Sequence, residues 1–249
     1  MKIINIDSNG IELPVVVPDS ILVFAPHPDD ELLSTGGTIL KYKNWGSKIY
    51  VVVVSSGLGG YSKDEYQNKI REIRKKELDK STRLLCVDKT IFLEFDEIEP
   101  SRKYVKMFTE IIRDLRPTII LAPHPFDAHR THRNTALIAR EAVYHSQGRA
   151  YGGAGKEWIP FGYYFYETLS CKFINVETGH KIIVCDISDY WAKKMEIFEE
   201  VYKSQLEMLE RVKTWAISSA KMSGEMGRVK WGEPFIPDTE FVNLKIILI

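Results

Sequence analysis

Within the stretch Ala25-Pro26-His27-Pro28-Asp29-Asp30-Glu31, one imidazole and three carboxylates crowd into five residues, between an apolar run and a helical pattern. A second cluster, Ala122-Pro123-His124-Pro125-Phe126-Asp127-Ala128-His129-Arg130-Thr131-His132, holds three of the six histidines and follows another apolar run. Donors of these types suit a divalent cation, because a catalytic zinc takes about three His or carboxylate ligands and keeps a position for water. His27, Asp30 and one histidine of the second cluster satisfy that count. No cysteine lies near either cluster, which argues against a structural thiolate site. The ion would lower the pKa of its water towards ~7 and polarise a carbonyl under attack. A carboxylate that is not a ligand must then carry the proton to the leaving group. Asp29 is placed for this, since adjacent residues at a helix start point in different directions. A further imidazole can steady an oxyanion or protonate a leaving amine.

Ordinary helix chemistry explains part of the first cluster. Acidic residues favour a helix N-terminus, Asp caps well, and Pro suits a first turn. His124 before Pro125 reads as structural, and isolated His145 and His180 as surface or core residues. Capping does not explain two histidine-bearing segments at the ends of neighbouring strands.

The elements that would position these clusters follow a regular alternation. Residues 1–20 read as a strand pair turning at Ser8-Asn9-Gly10, with Pro14 and Pro18 marking an edge. Apolar runs at 21–25, 49–55, 90–95 and 118–122 have the character of buried parallel strands. Helical patterns at 31–45, 64–85, 102–116 and 134–144 separate or follow them. This predicts an α/β fold: a Rossmann-like, doubly wound, mostly parallel sheet with helices on both faces. With strand order 3-2-1-4-5 from residue 21 onward, the first and fourth of these strands flank the switch point, where ligands bind beyond the strands' carboxyl ends. Strands at 163–168 and 181–186 and a helix from about 190 to 209 extend the pattern. The Gly-rich segment 146–160 reads as a loop near the site, and 222–237 as an irregular tail. A single domain is expected: an edge hairpin (1–20), a Rossmann-like core (21–145) and a C-terminal elaboration (146–249).

Bulk composition narrows the partners. The 249 residues carry 34 Lys plus Arg and 34 Asp plus Glu, so no global basic field attracts nucleic acid or anionic lipid. No apolar run approaches the ~20 residues that span a bilayer. The N-terminus lacks a signal-peptide core, so a cytoplasmic location is expected. Cys86, Cys171 and Cys185 are widely spaced and read as buried free thiols.

Pro26-His27-Pro28-Asp29-Asp30-Glu31 resembles the hallmark of the PIG-L or LmbE-like zinc de-N-acetylases. Ser55-Ser56-Gly57 with Gly60 resembles their glycine loop, and Arg74-Lys75-Lys76-Glu77 before Leu84-Leu85-Cys86-Val87 their Arg-x-x-Glu helix and its turn. Phe95-Asp96, His129-Arg130-Thr131-His132, Lys203-Ser204-Gln205 and Trp231-Gly232-Glu233-Pro234-Phe235 continue the likeness in order. The resemblance implies zinc on His27, Asp30 and His132, Asp29 as general base, and His129 at the oxyanion or leaving group. It implies Arg74 and Asp96 as contacts to substrate hydroxyls, and hydrolysis of an N-acetyl group from an N-acetylglucosamine-type sugar. The partner implied is a small amino-sugar; related enzymes often assemble into homo-oligomers, and the sequence leaves the oligomeric state open.

Two departures stand out. Arg130-Thr131 replace the family's common Pro-Asp, removing an aspartate that would orient an imidazole; Asp127 is a candidate substitute. Ser56 stands where the glycine loop often has aspartate. Competing readings are a zinc amidase on a non-sugar amide, an inactive sugar- or metal-binding member, and a dinucleotide-binding protein. The last lacks a Gly-x-Gly-x-x-Gly after the first core strand and would set carboxylates where phosphate should sit.

Overall fold

Ile21 to Ala25 is an unbroken apolar run whose every residue is fully buried, as a strand covered on both faces requires. The computed structural model describes residues 2–8, 11–59, 68–149, 155–173 and 181–241, so the hairpin turn at Asn9-Gly10 and His180 lie outside the described residues. In chain order the elements are β1 (Lys2–Ser8), β2 (Ile11–Val17), β3 (Ser20–Ala25), α1 (Asp30–Asn44), β4 (Lys48–Ser55), α2 (Ile70–Leu84), β5 (Lys89–Phe95) and α3 (Arg102–Leu115). They continue with β6 (Ile119–Pro123), α4 (Arg130–Ser146), β7 (Gly162–Tyr166), β8 (Ile183–Asp186), α5 (Trp191–Val201), α6 (Leu206–Gly227) and β9 (Gly232–Pro237).

The main sheet has seven strands in the order β5-β4-β3-β6-β7-β9-β8. β3 pairs in parallel with β4 on one side and β6 on the other, so strand order reverses between β3 and β6, as expected. β9 runs antiparallel to both β7 and β8. Two apolar layers cover the sheet. One packs α1, α2, α5 and α6 against residues such as Val23, Val51 and Leu121, and the other packs α3 and α4 against Phe24, Val52 and Ile120. β1 and β2 form a separate two-stranded sheet rather than an edge of the main one.

Several boundaries differ from expectation. α4 begins at Arg130, not near 134, which places His132 on a helix rather than in a loop. The helix expected from 190 is split, because Ser204 turns aside to donate both its N–H and its hydroxyl to Glu77 (2.8 Å each). The tail expected to be irregular is the end of α6 followed by β9, an inner strand in which Phe235 and Ile236 are buried despite two prolines. The described part of 146–160 does not lie near the clusters. The Trp158 indole donates to Pro117 O and the Phe161 N–H to Thr118 O, both at the opposite end of β6. Cys86 is exposed, ending α2's turn at φ +55°, while Cys171 and Cys185 are buried.

α1 has an unusual interior. The N–H groups of Gly37 and Thr38, in the middle of the helix, donate to the Glu233 carboxylate at 2.9 and 2.8 Å. Lys194 donates to Glu233 at 2.8 Å and to the Leu33 carbonyl at 2.7 Å. A buried ion pair from α5 and β9 is thus plugged into the helix behind its first turn. Gly37 also admits the Ile187 side chain against the helix, since a Cβ there would lie 2.7 Å from it.

A three-donor cluster at the strand switch point

His27 leaves the end of β3, Asp30 opens α1, and His132 sits in the first turn of α4 just after β6. The pairing of β3 with β6 brings these two loops together across 105 residues. His27 Nδ1 lies 3.1 Å from His132 Nε2, and Asp30 Oδ2 lies 3.3 Å from each of them. Ligand bonds of about 2.0–2.1 Å in a tetrahedron imply donor separations of about 3.3–3.4 Å, so this triangle has the size of one face of a zinc site. His129 is more exposed, with its ring centroid 4.8 Å from His27 and 4.7 Å from His132. The nitrogens of His27, His129 and His132 all fall within 4.8 Å of one another, a looser group that also can hold an ion. The tighter triangle through Asp30 supplies a negative charge and is the better match.

Electrostatics favour a cation here. Burial opposes charge on Asp30, but the adjoining His132 and His27 outweigh it and hold the carboxyl well below the usual range. Burial likewise opposes charge on His132, but Asp30 and Asp127 prevail and push its imidazole up. For His129, burial and the two neighbouring imidazoles push the pKa down, which keeps its ring neutral at neutral pH.

Asp29 caps α1 with φ +130°, a conformation costing on the order of 1–3 kcal/mol for a non-glycine residue. The surroundings enforce it. Its N–H donates to Glu31 Oε2 at 2.9 Å, and its carbonyl receives the N–H groups of Leu32 and Leu33. Arg74 donates to the Pro28 carbonyl and, at 2.9 Å, to Asp29 Oδ2. Glu31 is fully buried and also accepts Ser81 Oγ (2.7 Å) and Tyr202 Oη (2.5 Å), a structural tie. Burial pushes its carboxyl up against those bonds.

The other expected site residues divide. Arg74 is only 1% exposed, and its guanidinium serves Asp29, Pro28 and Glu77. Gly57, at φ +64°, makes room for it, since a Cβ would lie 3.2 Å from Arg74 Nε. Asp96 is exposed and pairs with Arg71, which also donates to Ser56 Oγ at 2.7 Å. Nothing in the spacing distinguished Arg71 from its neighbours on α2. Asp127, the candidate substitute for the missing aspartate, turns its carboxylate to an imidazole, that of His132 rather than that of His129. Its Oδ2 meets His132 Nδ1 at 3.0 Å, while His129 offers it only a backbone N–H at 2.7 Å. His124 is buried among Phe126, Phe165 and Phe173, with Nδ1 accepting the Phe126 N–H, so it is structural.

The cluster opens into a cleft of about 680 Å³. Leu33, Leu169 and Val212 form an apolar wall, and Asp96, Glu97 and Arg211 a charged lip. Tyr163, Tyr164 and Tyr166 are core residues, and Trp231 stacks on Trp191. No helix of the described residues is long and apolar enough to cross a membrane.

The fold and cluster define a doubly wound α/β protein able to hold a metal ion at its strand switch point. The family described as PIG-L: GlcNAc-PI de-N-acetylase matches residues 22–143. A diacetylchitobiose deacetylase of Thermococcus kodakarensis is 32% identical over 129 residues, 49% of this chain and 48% of that protein. The chain thus spans about half the length of the curated relatives it matches. The structure of the Pyrococcus horikoshii N,N'-diacetylchitobiose deacetylase, solved with an inhibitor, superposes with a TM-score of 0.76 at 28% identity, covering 88% of this chain and 83% of that one. A 4-carboxy-2-hydroxymuconate hydratase from Pseudomonas putida shares the fold (TM-score 0.75, 19% identity, 88% and 96% covered).

Proposed function

We propose that this protein is a zinc-dependent hydrolase removing an N-acetyl group from an N-acetylglucosamine-type sugar or conjugate. The observation that carries the reading is the His27–Asp30–His132 triangle with the separate carboxylate of Asp29 beside it. The deacetylase names of the relatives supply the acetyl group and the amino sugar. An ion held by these three donors would acidify a water and polarise the amide carbonyl.

The chain's residues do the rest. Asp29, fixed by Arg74 and by its own strained backbone, accepts the water's proton and returns it to the departing nitrogen. His129 stands beside the His27 and His132 rings, and its neutral ring keeps one N–H to donate to the developing oxyanion. Asp127 keeps the His132 proton on Nδ1 and so leaves Nε2 free for the ion. Asp96, with Arg71 and Arg211 nearby, offers polar contacts for sugar hydroxyls at the lip. A cleft of this volume accommodates a sugar with an attached group.

The test is acetate release from N-acetylglucosamine and N,N'-diacetylchitobiose before and after chelation, with metal content measured in parallel. Turnover undiminished in metal-free protein would sink the mechanism. Asp29→Asn should retain the ion and lose nearly all turnover.

A further inference from the structure

Asp127 is 1% exposed, and its carboxylate accepts four hydrogen bonds from described residues. Oδ2 takes His132 Nδ1 at 3.0 Å and Thr168 Oγ1 at 2.5 Å. Oδ1 takes the His129 N–H at 2.7 Å and Ser170 Oγ at 2.6 Å. Two of these donors come from a short segment after β7 that belongs to neither histidine cluster. Neither hydroxyl carries a sequence signal linking it to the cluster.

The segment is built to aim those hydroxyls. Thr168 and Cys171 exchange both backbone bonds, N–H to O at 3.2 and 3.3 Å, closing a tight turn. The Cys171 N–H also donates to Thr168 Oγ1 at 3.1 Å, which occupies that oxygen as an acceptor and leaves its hydrogen for Asp127. Lys172 Nζ ties the turn to Thr168 O at 3.0 Å, and Glu167 anchors its flanks to the Phe173 N–H and to Ser219 of α6. Leu169 and Ser170, at the tip, line the cleft.

A carboxylate with a single partner can rotate about its terminal torsion. With Oδ1 held twice and one side of Oδ2 held by Thr168, the remaining direction at Oδ2 is the one His132 occupies. We propose that Thr168 and Ser170 are positioning residues for the metal centre: their hydroxyls lock the Asp127 carboxylate and thereby the tautomer and ring orientation of His132. This rests on the proposed metal site and adds two residues to it. Removal of partners that orient a metal-bound histidine typically weakens the ion by about 10–100-fold. The turn also makes the ion's hold sensitive to the cleft wall, since Ser170 belongs to both.

The test is zinc affinity by competition with a chromophoric chelator, on the full chain and on Thr168→Val, Ser170→Ala, the double variant and Thr168→Ser. Thr168→Val keeps the volume, and Ser170 is at the exposed tip, so each single variant should fold. Expected is a loss of about 10-fold for each, about 100-fold for the double variant, and recovery in Thr168→Ser. Thermal unfolding of the metal-free proteins runs alongside. Affinity lost with unchanged metal-free stability supports positioning, and stability lost with unchanged affinity overturns it. Zinc affinity equal to wild type in the double variant also overturns it and leaves the metal reading intact. Failure of the unsubstituted protein to bind zinc overturns both.

Discussion

Arg74→Lys separates two roles that one buried arginine can play. The resemblance to sugar-processing relatives makes Arg74 a contact to substrate hydroxyls. The geometry instead turns its guanidinium inward, to Asp29 Oδ2 at 2.9 Å, the Pro28 carbonyl and Glu77 at 3.6 Å, over the Tyr202 ring, at 1% exposure. A lysine ammonium is a point donor and cannot span this set as the planar fork does. Losing one charge-assisted bond costs about 2 kcal/mol. If that bond is the one orienting the base, about 2 kcal/mol becomes roughly a 30-fold fall in kcat. The expected result in steady-state acetate release is therefore a 30-fold lower kcat with KM and zinc content nearly unchanged. Arg74→Met would strip the charge as well, leaving Asp29 and Glu77 buried without it, at about 3–5 kcal/mol of stability. A Lys variant with intact kcat and a tenfold higher KM would refute this reasoning and restore Arg74 to the substrate.

Three further outcomes follow from other parts of the chain. His129→Ala should keep the ion and lower kcat by about 10²–10³; metal analysis showing the ion lost would place His129 among the ligands instead. Gly37→Ala should destabilise the fold by about 1–3 kcal/mol in urea titration, because its Cβ would press on Ile187. Burial lowers Lys172 to about 8, below its unfolded value, so the folded protein binds fewer protons between about pH 8 and 10.5 and gains stability across that window. Lys172→Met should remove that gain, about 1 kcal/mol after discounting for a half-exposed group, read as the difference between the two urea midpoints at pH 7.5 and 10.5.

The core alternation was legible because parallel strands buried on both faces are written as continuous apolar runs, and 21–25, 49–55 and 118–122 are such runs. The halves of the donor cluster were legible for the same reason: each follows one of those runs. The rest depended on partners distant in the chain. Ser204 interrupts the α5–α6 helical pattern because Glu77 binds its backbone. Pro234 and Pro237 read as breakers, yet β9 finds a place between β7 and β8 through the burial of Phe235 and Ile236. Asp127 read as a candidate to orient an imidazole, but which one was not legible; five residues along, on α4's first turn, His132 meets its carboxylate. The Thr168 and Ser170 hydroxyls have no periodicity at all; only the folded turn aims them.

The ion pair set into α1 gives the order of synthesis a consequence for the site. Residues 27–132, which contain the whole triangle, emerge from the ribosome about a hundred residues before Glu233. Until β9 docks, the buried N–H groups of Gly37 and Thr38 lack their carboxylate, and the first turn of α1 lacks the brace behind it. The helix that presents Asp29 and Asp30 is therefore completed by the last described strand of the sheet. A nascent chain stalled before residue 233 would expose the donors without this brace, and under the proposed metal reading capture of an ion would follow the docking of β9.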